Sequence, residues 1–206
     1  MSKNLGSKEK ILKSACKLFA EKGFKQTTIR DICADSGSYQ ISVNYYFGSK
    51  ENLFKEAFLK SFEYTGFGYI SSLIEGVEPK EQLYRILKAR VELTFAQDEK
   101  SWFFNILSKE FNVNMELITP LIPNTIANFL EVLQKILRQI NPEADDFEVE
   151  YCCFLFIAQS FSLALNSIAK KRLFSNDDPS QEEIERLARK MSSYIILGLE
   201  KSDTEF

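Results

Sequence analysis

Residues 27–54 read TTIRDICADSGSYQISVNYYFGSKENLF. Two short helical stretches separated by Gly37 lie in this segment, and a longer one starts at its end. Thr27 or Thr28 can cap the first, because a threonine hydroxyl accepts from the exposed N–H groups of an opening helical turn. That helix runs through Asp35 and turns Ile29, Ile32 and Cys33 inward. The next covers about 39–46, with Val43 and Phe47 inward and Tyr39, Gln40, Ser42 and Asn44 outward. Tyr45, Tyr46 and Phe47 follow one another, and successive helical residues are rotated by roughly 100°. Three adjacent rings therefore cannot share a face: Phe47 and Tyr46 are expected in the core, and Tyr45 outside it.

Helical periodicity extends from this stretch in both directions. Upstream, Ser7 is expected to cap a first helix with Ile11, Leu12, Ala15, Leu18 and Phe19 on one side, ended by Gly23. Downstream, Ser49 caps a fourth helix carrying Leu53, Phe54, Ala57, Phe58 and Phe62, reaching to about Ile74. Pro79 fits the first turn of a fifth, ending near Gln97. Further helices are expected over about 101–110, 121–140 and 145–172, with a ninth after the SNDDPS loop. In the ninth, Ile184, Leu187, Met191, Tyr194 and Ile195 face inward and Ile196, Leu197 and Leu199 are left over. The fold class is all-α, a three-helix head over 1–48 followed by a helical body over 49–206.

Composition narrows the function. The 206 residues are 45% hydrophobic and 27% charged, ordinary for a globular chain. Residues 1–50 hold nine Lys and Arg against four Asp and Glu, whereas the remainder has seventeen against twenty-five. A basic head on an acidic body suits an anionic partner for the head. Histidine is absent, which excludes Ser-His-Asp and Cys-His catalysis and imidazole metal sites. No metal-ligand spacing or nucleophile–base pair points to an enzyme, and no cofactor is expected. Cys16, Cys33, Cys152 and Cys153 read as buried free thiols of a reducing cytoplasm. The N-terminus has no apolar signal core. The apolar stretch 151–169 is interrupted by polar residues and reads as a buried helix, with no membrane role.

Two short helices around a glycine turn on a basic head are the layout of a helix-turn-helix, whose second helix enters the major groove. The runs KEKILKSACKLFAEKGFKQTTIRDICADSG and NYYFGSKENLF resemble the DNA-binding domain of the TetR family of transcriptional repressors over about residues 8–56. The resemblance implies that Thr27 and Thr28 lie near the DNA backbone and that Ser38, Tyr39, Gln40, Ser42 and Asn44 belong to the reading surface. It likewise implies phosphate contacts for Tyr45 and Lys50. Ser38 stands where the family usually has a small apolar residue, and Ile41 where glycine or alanine is common, so the base-reading surface departs from the pattern.

In the body, aromatic residues are frequent and helical bundles enclose ligands between apolar walls. The resemblance implies an effector pocket, for which Phe62, Phe67, Arg90, Trp102, Asn105, Glu110, Phe111, Phe156, Gln159 and Asn166 are candidates. The segment ILSKEF, with NVNMELITPLIPNTI after it, is similar to the body of the CecR-like regulators within that family. The eighth helix is too apolar for a wet face. With the ninth it resembles a TetR dimer interface, here through Phe154, Phe161, Tyr194, Ile196 and Leu197.

The resemblance thus implies a cytoplasmic, homodimeric repressor that binds a near-palindromic double-stranded DNA operator and is released by a small-molecule effector. The alternative is a small-molecule binding protein whose basic head is a protein-interaction module; steep salt dependence of binding separates the two.

Overall fold

The computed structural model describes residues 6–66, 74–111, 113–165, 167–174, 176 and 178–200. The helices are α1 (Ser7–Gln26), α2 (Ile29–Ser36), α3 (Gln40–Phe47), α4 (Lys50–Tyr64), α5 (Pro79–Phe95), α6 (Trp102–Glu110), α7 (Met115–Ile118), α8 (Ile122–Ile140), α9 (Asp146–Leu165), α10 (Ser167–Leu173) and α11 (Gln181–Glu200). The described residues thus hold eleven α-helices where nine were expected. The brief α7 lies in a loop too short to show a period, and the helix expected over 145–172 is described as α9 and α10 on either side of residue 166, which lies outside the described residues.

The chain divides into two compact units, Met1–Gly66 with Gln97–Thr125, and Phe67–Ala96 with Ile126–Phe206. In the first, α1 packs on α2, α4 and α6. Ile11, Ala15, Phe19, Ile32, Val43, Phe47, Leu53, Phe54, Phe58 and Ile106 form its core. The inward positions of α1 recur at three- and four-residue steps, which is why the helix buries one stripe. Gly6, without a side-chain cap, stands at the α1 N-cap, so the expected Ser7 cap is corrected: Ser7 is already helical. Ser49 does cap α4, its hydroxyl accepting from the Asn52 N–H at 3.2 Å. The expected continuation of α4 to Ile74 ends at Tyr64, and 67–73 lie outside the described residues.

In the second unit α11 packs on α5 and α9, burying Leu83, Leu87, Val91, Val149, Cys152, Phe156, Ile184, Met191 and Ile195. Two assignments in α11 are corrected. Tyr194 is 62% exposed, whereas Leu199 is fully buried, its carbonyl accepting from Asn141 Nδ2 at 2.9 Å. The apolar end of α11 has residues of one kind on several faces, so periodicity could not choose among them. By length and composition alone, Asp146–Ala164 is apolar enough to cross a membrane. One face of that helix is nevertheless buried on α11 and α5 within the unit. Cys16, Cys152 and Cys153 are buried free thiols, and Cys33 is half-buried. Burial pushes the Cys16 thiol up to about 12, which keeps it protonated and inert.

Candidate nucleic-acid interface

Thr28 and Asp31 form a reciprocal cap at the start of α2. The Thr28 hydroxyl accepts from the Asp31 N–H at 3.1 Å, and the Asp31 carboxylate accepts from the Thr28 N–H at 3.0 Å. This box satisfies two N–H groups that the helix leaves open. The backbone N–H of Thr28, then its side chain, holds the Asp31 carboxyl below the ordinary carboxylate range. Gly37 ends α2 at φ 66, ψ 27, a left-handed conformation for which glycine has no Cβ penalty. Thr28 is exposed at this corner. Thr27 is corrected: it is fully buried, and its hydroxyl donates to the carbonyls of Leu18 at 3.1 Å and Gly23 at 2.8 Å. Its hydroxyl ties α1 to the turn and does not face outward.

After that corner, α3 buries Val43 and Phe47, one turn apart, and presents its other side to solvent. Tyr39 at the N-cap is 80% exposed, Gln40, Asn44 and Tyr45 are exposed, and Ser38 and Ser42 are half-buried. Ile41, also exposed, adds a bulky apolar side chain to the same face of this short helix. Tyr45 is 82% exposed. Tyr46 is corrected from core to margin, at 37%, because only Phe47 reaches the interior. The Tyr46 ring meets Tyr45 at 5.1 Å and Phe47 at 6.3 Å, both edge-on. Edge-to-face contact is favourable for aromatic rings, so Tyr46 joins the outward ring to the buried one.

Lys50 opens α4 half-buried, its Nζ 4.3 Å from the centroid of the Phe24 ring. That ring packs edge-on against Phe54 at 5.1 Å. Behind α2, the Asp35 carboxylate accepts from Lys17 Nζ and from Ser14 Oγ, each at 2.7 Å. The Lys17 hydrogen bond, then that of Ser14, holds the Asp35 carboxyl below its ordinary value. The same contact raises the Lys17 ammonium.

The residues expected to line an effector pocket fall in both units. In the first unit Phe62 packs on Phe103 at 5.1 Å and Trp102 on Tyr64 at 5.6 Å. Asn105 and Phe111 are exposed rather than enclosed. Glu110 is buried, its carboxylate accepting from the Phe24 N–H and from Asn114 Nδ2. In the second unit Arg90 is buried, donating to Thr94 Oγ1 and the Ser160 carbonyl, each at 2.9 Å. Burial pulls its guanidinium down to about 9. Phe156 packs on Phe129 at 5.2 Å, and Gln159 lines an apolar cleft of about 340 Å³ with Leu163, Leu187 and Met191. Phe67 and Asn166 lie outside the described residues.

Of the residues expected at a dimer contact, Phe154, Tyr194 and Leu197 are exposed, and Phe161 and Ile196 are half-buried. Two further rings share this surface. Phe147, Tyr151 and Phe154 form a stacked row along α9 with centroids 6.2 and 6.3 Å apart. Their spacing, i, i+4 and i+7, was readable as a stripe, but the equally apolar opposite face hid it.

A capped α2, a glycine corner and an α3 with an exposed polar and aromatic face define a helix-turn-helix head. Residues 11–57 match the family described as bacterial regulatory proteins, tetR family. The HTH-type transcriptional repressor KstR2 of Mycolicibacterium smegmatis is 31% identical over 86 residues, a match spanning 41% of this chain and 42% of that relative. Among solved structures, the transcriptional regulator FadR from Bacillus subtilis in complex with stearoyl-CoA is similar at a TM-score of 0.71 and 16% identity. That likeness covers 92% of this chain and 97% of the other. The TetR family regulator PfmR from Thermus thermophilus is similar at 0.66 and 22% identity, covering 96% and 100%. Over residues 11–57 the chain is thus similar to bacterial regulatory proteins of the tetR family, and its fold is that of the solved regulators. The CecR-like likeness of the body stays a likeness of sequence.

Proposed function

We propose that the chain is a ligand-responsive transcriptional repressor of the cytoplasm, binding a near-palindromic operator as a homodimer and released by a small molecule. The observation that carries this reading is the exposed face of α3, where Tyr39, Gln40, Asn44 and Tyr45 stand outward behind a capped α2. Base edges in the major groove are read by side chains of this kind, and tyrosine hydroxyls and lysines suit phosphates. Tyr45, Thr28 and Lys50 take the backbone; Tyr39, Gln40, Ser42 and Asn44 take the groove.

The exposed row Phe147, Tyr151 and Phe154, with Tyr194 and Leu197, supports pairing of two copies. A two-fold pair presents two recognition helices, and symmetric half-sites follow from that. An effector shifts the DNA-bound state only through unequal affinity for the two states, typically ~1–3 kcal/mol of coupling. The FadR neighbour holds stearoyl-CoA, which makes that acyl thioester the first effector to try. The division of labour follows the chain: residues 1–48, joined by Lys50 at the start of α4, bind DNA, and the rest of 49–206 senses and pairs.

Fluorescence anisotropy of a labelled duplex titrated with protein, at several salt concentrations, tests the reading. Affinity should fall steeply as salt rises, because phosphate contacts release counterions. A salt-independent affinity would favour a protein-interaction head instead.

A further inference from the structure

We propose that Glu110 is the positioning residue through which α6 fixes Lys50 on the DNA-binding side of the head; this rests on the DNA-binding reading above. At Gly23 the backbone of α1 leaves helical geometry, with φ 80 and ψ 170. A chain broken there needs an acceptor for its next N–H. Glu110, the last residue of α6 and only 2% exposed, supplies it: Oε1 accepts from the Phe24 N–H. Asn114 Nδ2 donates to the other carboxylate oxygen and fixes its direction.

The approach is close. A Cβ added to Gly23 would stand 3.0 Å from Glu110 Oε1 and 3.6 Å from Lys109 Cβ. Position 23 is therefore glycine for two separate reasons, its positive φ and the nearness of α6. The residue that Glu110 holds by its amide is the one whose ring carries Lys50. Phe24 lies under Lys50 Nζ at 4.3 Å and against Phe54 at 5.1 Å. The path runs from the end of α6, through the Phe24 amide, to the Phe24 ring and the ammonium at the start of α4. The body of α6 is anchored by Phe103, Ile106 and Leu107 in the core. A turn of α6 therefore withdraws the carboxylate, and a charge-assisted hydrogen bond weakens steeply once its geometry is lost. A plain helix cap would hold α1 and leave Lys50 indifferent; the Phe24 ring makes the two inseparable.

A double-mutant cycle on the full chain tests this with Glu110→Ala, Lys50→Met and the pair. Binding of a labelled random-sequence duplex at low salt is the first readout, and hydrogen exchange at the Phe24 amide the second. Each single change should weaken binding about tenfold, and the pair should be no weaker than Lys50→Met alone. Glu110→Ala should also expose the Phe24 amide to exchange, while Glu110→Gln, which keeps a carbonyl acceptor, should restore both protection and binding. Should Glu110→Ala not fold, Glu110→Asp, which retracts the carboxylate by one methylene, takes its place with the same expectations. Additive losses in the pair, or unchanged binding with an unprotected amide, overturn the positioning role alone. Absence of any duplex binding by the unaltered protein overturns the DNA-binding reading and the role together.

Discussion

The ring of Tyr46 meets that of Tyr45 edge-on at 5.1 Å, and the two differ sharply in exposure, 37% against 82%. Tyr46 thereby braces Tyr45 outward from a helix only eight residues long. On the proposed reading a hydroxyl held there meets phosphate, a contact that carries no sequence information. Tyr45→Phe should weaken operator and random duplex alike, by about 1 kcal/mol, the usual worth of one hydrogen bond. Parallel anisotropy titrations on the two duplexes measure this; a loss confined to the operator would assign Tyr45 to a base.

Gln40 should behave in the opposite way. It opens α3 with its side chain exposed, where an amide can pair with a base edge. Gln40→Ala should cost about 1–3 kcal/mol on the selected operator and little on random DNA, as expected of a bidentate contact. Equal losses on both duplexes would move Gln40 to the backbone.

Much of this head was legible because local rules agree there. Thr28, Gly37 and Ser49 each carry a cap or turn signal that needs no distant partner. Val43 and Phe47 follow the helical period, and the family motif runs through them. Thr27 was misread because two adjacent threonines satisfy the same cap rule. Only the tertiary approach of Leu18 decides which of them turns inward. The contact between Glu110 and Phe24 spans 86 residues, and no periodicity encodes such a pairing. In the body, α9 is apolar on several sides, so burial of Phe156 and exposure of Phe154 depend on where α11 lies. The effector residues were chosen as polar interruptions in apolar runs, a signal that does not separate Arg90, buried, from Asn105, exposed.

Gly23→Ala should destabilise the protein by about 1–3 kcal/mol, the cost of forcing a side chain into a backbone region that glycine alone tolerates. The conformation, φ 80 and ψ 170, and the 3.0 Å approach to Glu110 Oε1 both oppose a Cβ. Urea unfolding gives the value; a midpoint equal to that of the unaltered chain would show that the turn relaxes freely.

Asp35 should make stability depend on acid. Lys17 and Ser14 hold its carboxyl below the ordinary 3.8. A depressed folded value contributes stability that is complete above the unfolded value and disappears as pH falls through the folded one. The stability gap between the unaltered protein and Asp35→Asn should hold steady above ~pH 5 and close as pH drops below the ordinary range. Denaturant midpoints across this range measure it, and a gap that widens on acidification would reverse the sign.

Phe154, 61% exposed, and Tyr194, at 62%, stand on the surface assigned to pairing. A buried, unpaired carboxylate costs several kcal/mol. Phe154→Glu with Tyr194→Glu should therefore give a folded monomer in sedimentation, where the unaltered chain should give a dimer. A double variant that still sediments as a dimer would place the interface elsewhere.

Selection of bound duplexes from random DNA by the protein tests whether two copies of α3 read a symmetric site. Two copies reading successive major grooves should enrich a near-palindrome with half-site centres about 10 base pairs apart, matching recognition helices ~34–36 Å apart. Recovery of sequences no different from the starting pool, even at low salt, would contradict the assignment of α3 as a recognition helix.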